Sequence, residues 1–263
     1  AIVPFHMWTP DVYTGAPTPV TGFLSAAAKA AGFAVFVRVL LTGIPLGGAS
    51  WENVFWILAV LSMTVGNLMA LRQSEIKRML AFSSIAHAGY VLVAVVVGSA
   101  SAISGLIFYS FAYAVMGTGA FGILTIKDAG RVPQTYDELA GYGRRNPFQA
   151  LMMTLFMFSL IGLPLTGGFI GKLQIFSAAL DDGWIWLTVI GILNSALSAY
   201  YYLRVVMFMY MREGALPEGT DLSEKSSGFA LTGLIGASVA VLYLGVFPDN
   251  ILELASSSIQ ALL

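Results

Sequence analysis

Seven apolar stretches, most of them long enough to cross a bilayer, dictate what this chain can become. They run over residues 20–41, 54–71, 79–97, 102–126, 148–180, 184–210 and 229–246. Hydrocarbon offers no partner to a free backbone amide or carbonyl, so a spanning segment must be a helix or part of a closed barrel. The ten-residue alternation of a barrel strand is missing, and the expected fold is an all-α polytopic bundle. Two segments carry a lysine at membrane depth: Lys29 in SAAAKAAGFA, and Lys172 in IGLPLTGGFIGKLQIF. A charge there costs roughly 2.5–3.5 kcal/mol on insertion scales, and such residues usually face a bundle interior or a wet cavity on an ion path.

Loop charges alternate. Arg72, Lys77 and Arg78 fall in one connector, Lys127, Arg131, Arg144 and Arg145 in a second, Arg212 and Lys225 in a third. The intervening connectors Thr42–Asn53, Gly98–Ser101 and Asp181–Gly183 have no Lys or Arg. The positive-inside rule puts the basic set in the cytoplasm. Residues 1–19 then form a cytoplasmic loop or the end of a preceding broken helix, and residues 249–263 a periplasmic tail. Because PFHMWTPD opens without an initiating methionine, the sequence is expected to begin partway through a longer polypeptide.

The fifth stretch is too long. As one helix its roughly 33 residues would run to about 50 Å, well beyond a hydrocarbon core of about 30 Å. Gly162, Pro164, Gly167 and Gly168 sit at its centre, and a break is expected near residues 162–168. Transporters place ion sites at such breaks. Lys172 should lie on about the first turn after it, where the helix dipole and desolvation both oppose a fixed charge and favour proton exchange.

For Lys29 the alternatives are a structural or snorkelling lysine and a proton carrier. Its distance from both segment ends is more than the side chain can bridge. His87, in FSSIAHAGY, is either a satisfied interior histidine or a relay beside Ser83, Ser84 and Tyr90. Tyr109, Tyr113, Lys127 and Tyr200–Tyr202 divide evenly between lining a polar axis and packing. Arg38, Arg204, Trp184 and Trp186 read as interfacial anchors. Aligning AGFAVFVRVL with SAYYYLRVVM through Arg38 and Arg204 sets Ser195 opposite Lys29, as a weak internal repeat would.

Composition excludes other classes. With 57% hydrophobic and 10% charged residues the chain is no ordinary soluble domain. A net charge of -1 argues against nucleic acid as a partner. Zero cysteines remove disulfides, thiolate metal sites and cysteine-ligated clusters, and His6 and His87 are too few and too far apart for a metal cage. Carboxylates are nearly absent from the apolar segments, so a counter-charge for the lysines is expected upstream of Ala1 or in another subunit.

PFHMWTPDVYTGAPTPVTGFLSAAAKAAGFA, NLMALRQSEIKRMLAFSSIAHAGY and FSLIGLPLTGGFIGKLQIFSAAL resemble the antiporter-like membrane subunits of respiratory complex I, and WTPDVYTGAPTP resembles the N-type. That family has about fourteen helices in two inverted five-helix repeats. The resemblance implies that this chain supplies helices eight to fourteen. It further implies that Lys29 is the central-axis lysine of helix eight and that His87 is the histidine of helix ten. Lys172 would be the lysine of broken helix twelve, serving the periplasmic half-channel. The helix-seven lysine and helix-five glutamate of the family would lie upstream.

The resemblance also implies a proton-translocating subunit of NADH:quinone oxidoreductase in the cell inner membrane, with no cofactor of its own. NADH, FMN, iron–sulfur clusters and quinone would be held by partner subunits. Partners would be lipids and other membrane subunits of complex I, a neighbouring antiporter-like one among them. The alternatives are a subunit of a cation/proton antiporter and a structural scaffold.

Overall fold

A computed structural model describes residues 1–42, 50–128, 135–213 and 228–260. The basic residues Arg131 and Lys225, the Lys127 side chain, and residues 43–49 of the connector Thr42–Asn53 lie outside the described residues. The described chain is helical: α1 Trp8–Gly15, α2 Thr18–Phe23, a π turn Leu24–Ala28, α3 Lys29–Thr42, α4 Ser50–Leu71, α5 Ile76–Val97 and α6 Ala100–Asp128. After a 3-10 turn Asp137–Leu139 follow α7 Tyr142–Arg145, α8 Pro147–Ile161, α9 Gly167–Asp181, α10 Ile185–Met211, α11 Gly228–Val246 and α12 Asp249–Gln260.

Among the described residues, six helical stretches are long and apolar enough to cross a membrane: Thr18–Leu40, Trp51–Leu71, Ile76–Val97, Ala100–Ile126, Ile185–Met211 and Gly228–Val246. The first joins α2, the π turn and α3. The stretch 148–180 is divided between α8 and α9, and at 1.5 Å per residue each reaches only about 22 Å. This is a polytopic all-α membrane protein.

α5 is the core. Its residues from Ile76 to Val96 are buried with one exception, Arg78, and a helix apolar on every side belongs inside. α4 lies close along it because small residues meet at the crossing. A Cβ on Gly66 would stand 2.7 Å from the Ala86 amide nitrogen, and one on Gly89 would stand 2.7 Å from that of Met63. α1, α6, α9 and α10 also pack on α5. Outward, Phe23, Val35, Trp186, Leu193 and Phe229 are exposed, as lipid-facing or partner-facing residues must be.

Two stretches read as connector are helical. Within residues 1–19, Trp8–Gly15 forms α1 despite Pro10, which falls in the first turn where a missing amide proton costs nothing, and Thr9, Pro10 and Tyr13 are buried. Within the tail, Asp249–Gln260 forms the amphipathic α12, which packs on α6 and buries Ala255 and Ile259.

Candidate functional site

α5 carries three polar side chains at a spacing of three residues, Ser84, His87 and Tyr90, and each meets a different part of a polar core. At 1.5 Å per residue they cover about 9 Å along the helix.

At the first level stands Lys29, which follows the π turn in the α2–α3 helix. Its Nζ donates to both the carbonyl and the hydroxyl oxygen of Ser84, and lies 5.0 Å from the Tyr113 ring centroid. The ammonium is therefore held by neutral oxygens well inside the helix, and does not reach outward to either end. Beside it opens an apolar cavity of about 310 Å³, walled by Tyr13, Leu24, Phe33, Phe36 and Leu92. A second void, about 10 Å³, lies between Lys29, Ser110, Tyr113 and His87. That is roughly the smallest space that admits one water.

His87, at the next level, is buried with both ring nitrogens engaged. Nδ1 hydrogen-bonds the Tyr109 hydroxyl, and Nε2 the Tyr202 hydroxyl at 2.9 Å. A neutral imidazole donates from one nitrogen and accepts at the other, and the tyrosine hydroxyls can do either. Exchanging the two roles shifts a proton across the ring without moving a heavy atom.

Lys172 occupies the third level. Its Nζ donates to Ile161 O at 2.8 Å, Ser195 Oγ at 2.9 Å and Leu160 O at 3.1 Å, and stands 4.8 Å from the Tyr90 ring centroid. One expectation changes here. Lys172 is on the second turn of α9, and its ammonium reaches back to the last carbonyls of α8, where the helix dipole favours a cation. Ser195, which the weak repeat sets opposite Lys29, is a partner of Lys172, and its own hydroxyl donates to Ile161 O at 3.1 Å.

The link between α8 and α9 makes this reach possible. Gly162 ends α8 at φ +87, and its amide returns to Phe158 O and Ser159 O. In that left-handed conformation a Cβ is unfavourable, and here it would also press on Lys172 Cδ at 3.1 Å. Pro164 is exposed in the link, while Gly167 and Gly168 open α9. A Cβ on Gly168 would overlap Ser159 O.

The Ser83 hydroxyl donates to Leu80 O at 2.8 Å and also hydrogen-bonds Tyr202, a partner of His87. Arg204, read as an interfacial anchor, stacks 4.2 Å from the Tyr136 ring centroid and donates to Gln73 O at 3.4 Å. Lys77, assigned to a connector, is buried, and its Nζ donates to Ala16 O at 2.8 Å and Thr14 O at 3.4 Å. It thereby satisfies carbonyls at the end of α1. The neighbouring Arg78 pairs with Asp11 at 2.9 Å on the exposed side. Asn67 and Asn194 form a second buried polar cluster that the sequence reading did not single out.

Comparison with known proteins agrees with this architecture. The family model for the transmembrane region of NADH:quinone oxidoreductase and Mrp antiporter subunits matches residues 1–198. NADH-quinone oxidoreductase subunit N of Trichlorobacter lovleyi is 50% identical over 261 residues, which is 99% of this chain and 53% of that protein. A chain of respiratory complex I from Thermus thermophilus with bound aureothin is 37% identical at a TM-score of 0.82, over 96% of this chain and 55% of that one. In fold alone, a chain of the Mrp complex from Dietzia sp. DQ12-45-1b is similar at a TM-score of 0.89 and 22% identity, over 100% of this chain and 56% of that one. The chain spans about half the length of the curated relatives it matches.

Proposed function

The chain belongs to the membrane family of NADH:quinone oxidoreductase and Mrp antiporter subunits, and we propose that it translocates protons as an N-type subunit of a NADH:quinone oxidoreductase. On this reading α8 and α9 are the halves of one interrupted span, the basic connectors face the cytoplasm, and the membrane is the cell inner membrane. Quinone reduction elsewhere in the complex drives the process. NADH, FMN, iron–sulfur clusters and quinone belong to partner subunits, one of the neighbours being another antiporter-like chain.

The observation that carries the proposal is the placement of two inward-facing ammonium groups and an imidazole against one buried helix. Lys29 meets Ser84, His87 meets two tyrosines, and Lys172 meets Tyr90. A proton taken up at Lys29 passes to the His87 level through the small void beside Tyr113. Exchange of donor and acceptor roles at His87 carries it between Tyr109 and Tyr202. Lys172 receives it and releases it to the opposite side. Each transfer leaves a neutral amine or hydroxyl that the same oxygen partners can still satisfy.

The test is Lys29→Ala in the full-length subunit within the assembled complex, with NADH-driven proton uptake measured in vesicles. Uptake per complex should fall sharply, together with quinone-coupled turnover. Normal uptake by a fully assembled variant refutes the role of Lys29. The likeness in fold to an Mrp complex chain supports a second reading, cation/proton exchange. Sodium-dependent proton exchange by the purified full-length protein would favour it, whereas co-purification with flavin and iron–sulfur subunits favours the first. Unchanged uptake in an assembled Lys29→Ala/Lys172→Ala variant would leave only a scaffold.

A further inference from the structure

We infer that Asn67 is a positioning residue for the proton site at Lys172, an inference that rests on the proton-path reading above. Asn67 lies on α4, is fully buried, and hydrogen-bonds uncharged groups. Its Nδ2 donates to Tyr90 OH at 3.3 Å and to Asn194 through both the backbone oxygen and Oδ1 at 3.1 Å, while its Oδ1 accepts from Tyr201 OH at 2.8 Å. Asn194 is fastened in turn, its Nδ2 donating to Ile190 O at 3.0 Å and Thr64 Oγ1 at 3.3 Å. One carboxamide thus ties α4 to α5 and to α10 at two points.

Two of these three contacts, Tyr90 and Asn194, lead to Lys172. Tyr90 presents its ring to the ammonium at 4.8 Å, and Ser195, the residue after Asn194, accepts from Nζ at 2.9 Å. The other two oxygens on Nζ are α8 carbonyls, which Asn67 does not reach. An uncharged amide inside an apolar helix is stable only if its donors and acceptors are met. Here they are met by the groups that set the height of the Tyr90 ring and the rotation of α10 about Ser195. Without the amide, the Tyr90 oxygen and Asn194 Oδ1 lose a buried donor and the Tyr201 hydroxyl loses its acceptor. The relief open to them is a turn of the ring or of α10, and either one moves a partner of Lys172.

The experiment uses the full-length subunit in the assembled complex, with NADH-driven proton uptake in vesicles normalised to complex content. Asn67→Leu keeps the branch at Cγ and removes the donors and the acceptor; uptake should fall about tenfold, the scale of a buried hydrogen bond left unmade. Asn67→Ser, which keeps one hydroxyl donor, should recover part of that loss. In a Tyr90→Phe/Ser195→Ala background, where the two outputs of Asn67 are already cut, Asn67→Leu should cost nothing further. Wild-type uptake in Asn67→Leu overturns the inference, and so does an equal loss in both backgrounds, which marks a merely structural residue. If Asn67→Leu does not assemble, Asn194→Ala removes the side-chain part of the link toward Ser195 and spares Tyr90; uptake should fall by less than tenfold, and normal uptake there overturns the inference too. Lys172→Ala separates the two claims: normal uptake in that variant defeats the proton-path reading, while loss there with normal Asn67→Leu defeats only the positioning role.

Discussion

Replacing Gly162 by alanine separates the geometry around Lys172 from the stability of the bundle. Gly162 holds φ +87 at the end of α8, and an L-residue there costs about 1–2 kcal/mol. Its new Cβ would also lie 3.1 Å from Lys172 Cδ and 3.6 Å from Nζ. Carbon atoms prefer about 3.5–4.0 Å, so the lysine stem must retreat by roughly half an ångström. The ammonium bonds to Ile161 and Leu160 are 2.8 and 3.1 Å long and have little slack. Gly98 is the control: it caps α5 at φ +68, and a Cβ there meets nothing closer than Val95 O at 3.9 Å. Both Gly162→Ala and Gly98→Ala in the full-length subunit should lower the thermal midpoint of the assembled complex, Gly162→Ala somewhat more because it also crowds Lys172. Only Gly162→Ala should slow proton uptake per complex, by about tenfold if the ammonium loses about 1.4 kcal/mol of hydrogen bonding. Equal uptake in the two variants would show that the space beside Gly162 does not govern Lys172, and the argument from the link would fail.

Ser84→Ala removes the hydroxyl that Lys29 binds and leaves the carbonyl, so vesicle proton uptake should drop by less than in Lys29→Ala; an equal or larger drop contradicts the shared grip. Lys77→Met should destabilise the assembled complex by about 2–3 kcal/mol, because the carbonyls of Thr14 and Ala16 lose a buried charged donor. Arg78→Ala, which breaks an exposed pair, should change it by less than about 1 kcal/mol; thermal unfolding that ranks the two the other way counts against the burial argument. His87→Phe keeps a flat ring and strands the hydroxyls of Tyr109 and Tyr202, and uptake should fall while assembly persists; unimpaired uptake removes His87 from the path.

Charge in an apolar run is the loudest signal a membrane sequence carries, and Lys29, Lys172 and His87 were legible for that reason. Length, Gly162 and Pro164 mark the stretch 148–180 as irregular, and the structure ends α8 at Ile161 and opens α9 at Gly167. Quieter signals were lost. Lys77 sits beside Arg78 at the edge of a segment, and two adjacent basic residues read as one loop, although only Arg78 is exposed. Its true role depends on α1, whose proline and polar residues masked an eight-residue helix. Asn67 carries no charge, yet an amide within an apolar helix demands partners as surely as a lysine does. That Ser195 meets Lys172 depends on how α10 packs on α9 and α8, which no spacing in the sequence states.

Neither inward-facing lysine has a carboxylate partner among the described residues, where the ion pairs are Arg78–Asp11 and Arg144–Glu213 on exposed surfaces. The expectation of a counter-charge outside this chain is compatible with that, but the oxygens around Lys29 and Lys172 suggest a further reason. Removing one member of a buried ion pair strands a charge, at a cost of about 3–5 kcal/mol, and deprotonating a lysine held by a carboxylate does the same. A carbonyl and a hydroxyl carry no net charge. When the ammonium becomes an amine, the Ser84 or Ser195 hydroxyl can turn and donate to it, and nothing charged is left behind. A site meant to hold a proton permanently would gain from a carboxylate; a site that must surrender it on every cycle gains from neutral partners. Ser195→Asp tests this directly: on the proton-path reading it should trap Lys172 as an ion pair and slow proton uptake more than Ser195→Ala does. Faster uptake in the aspartate variant would show that neutral coordination is incidental to proton release.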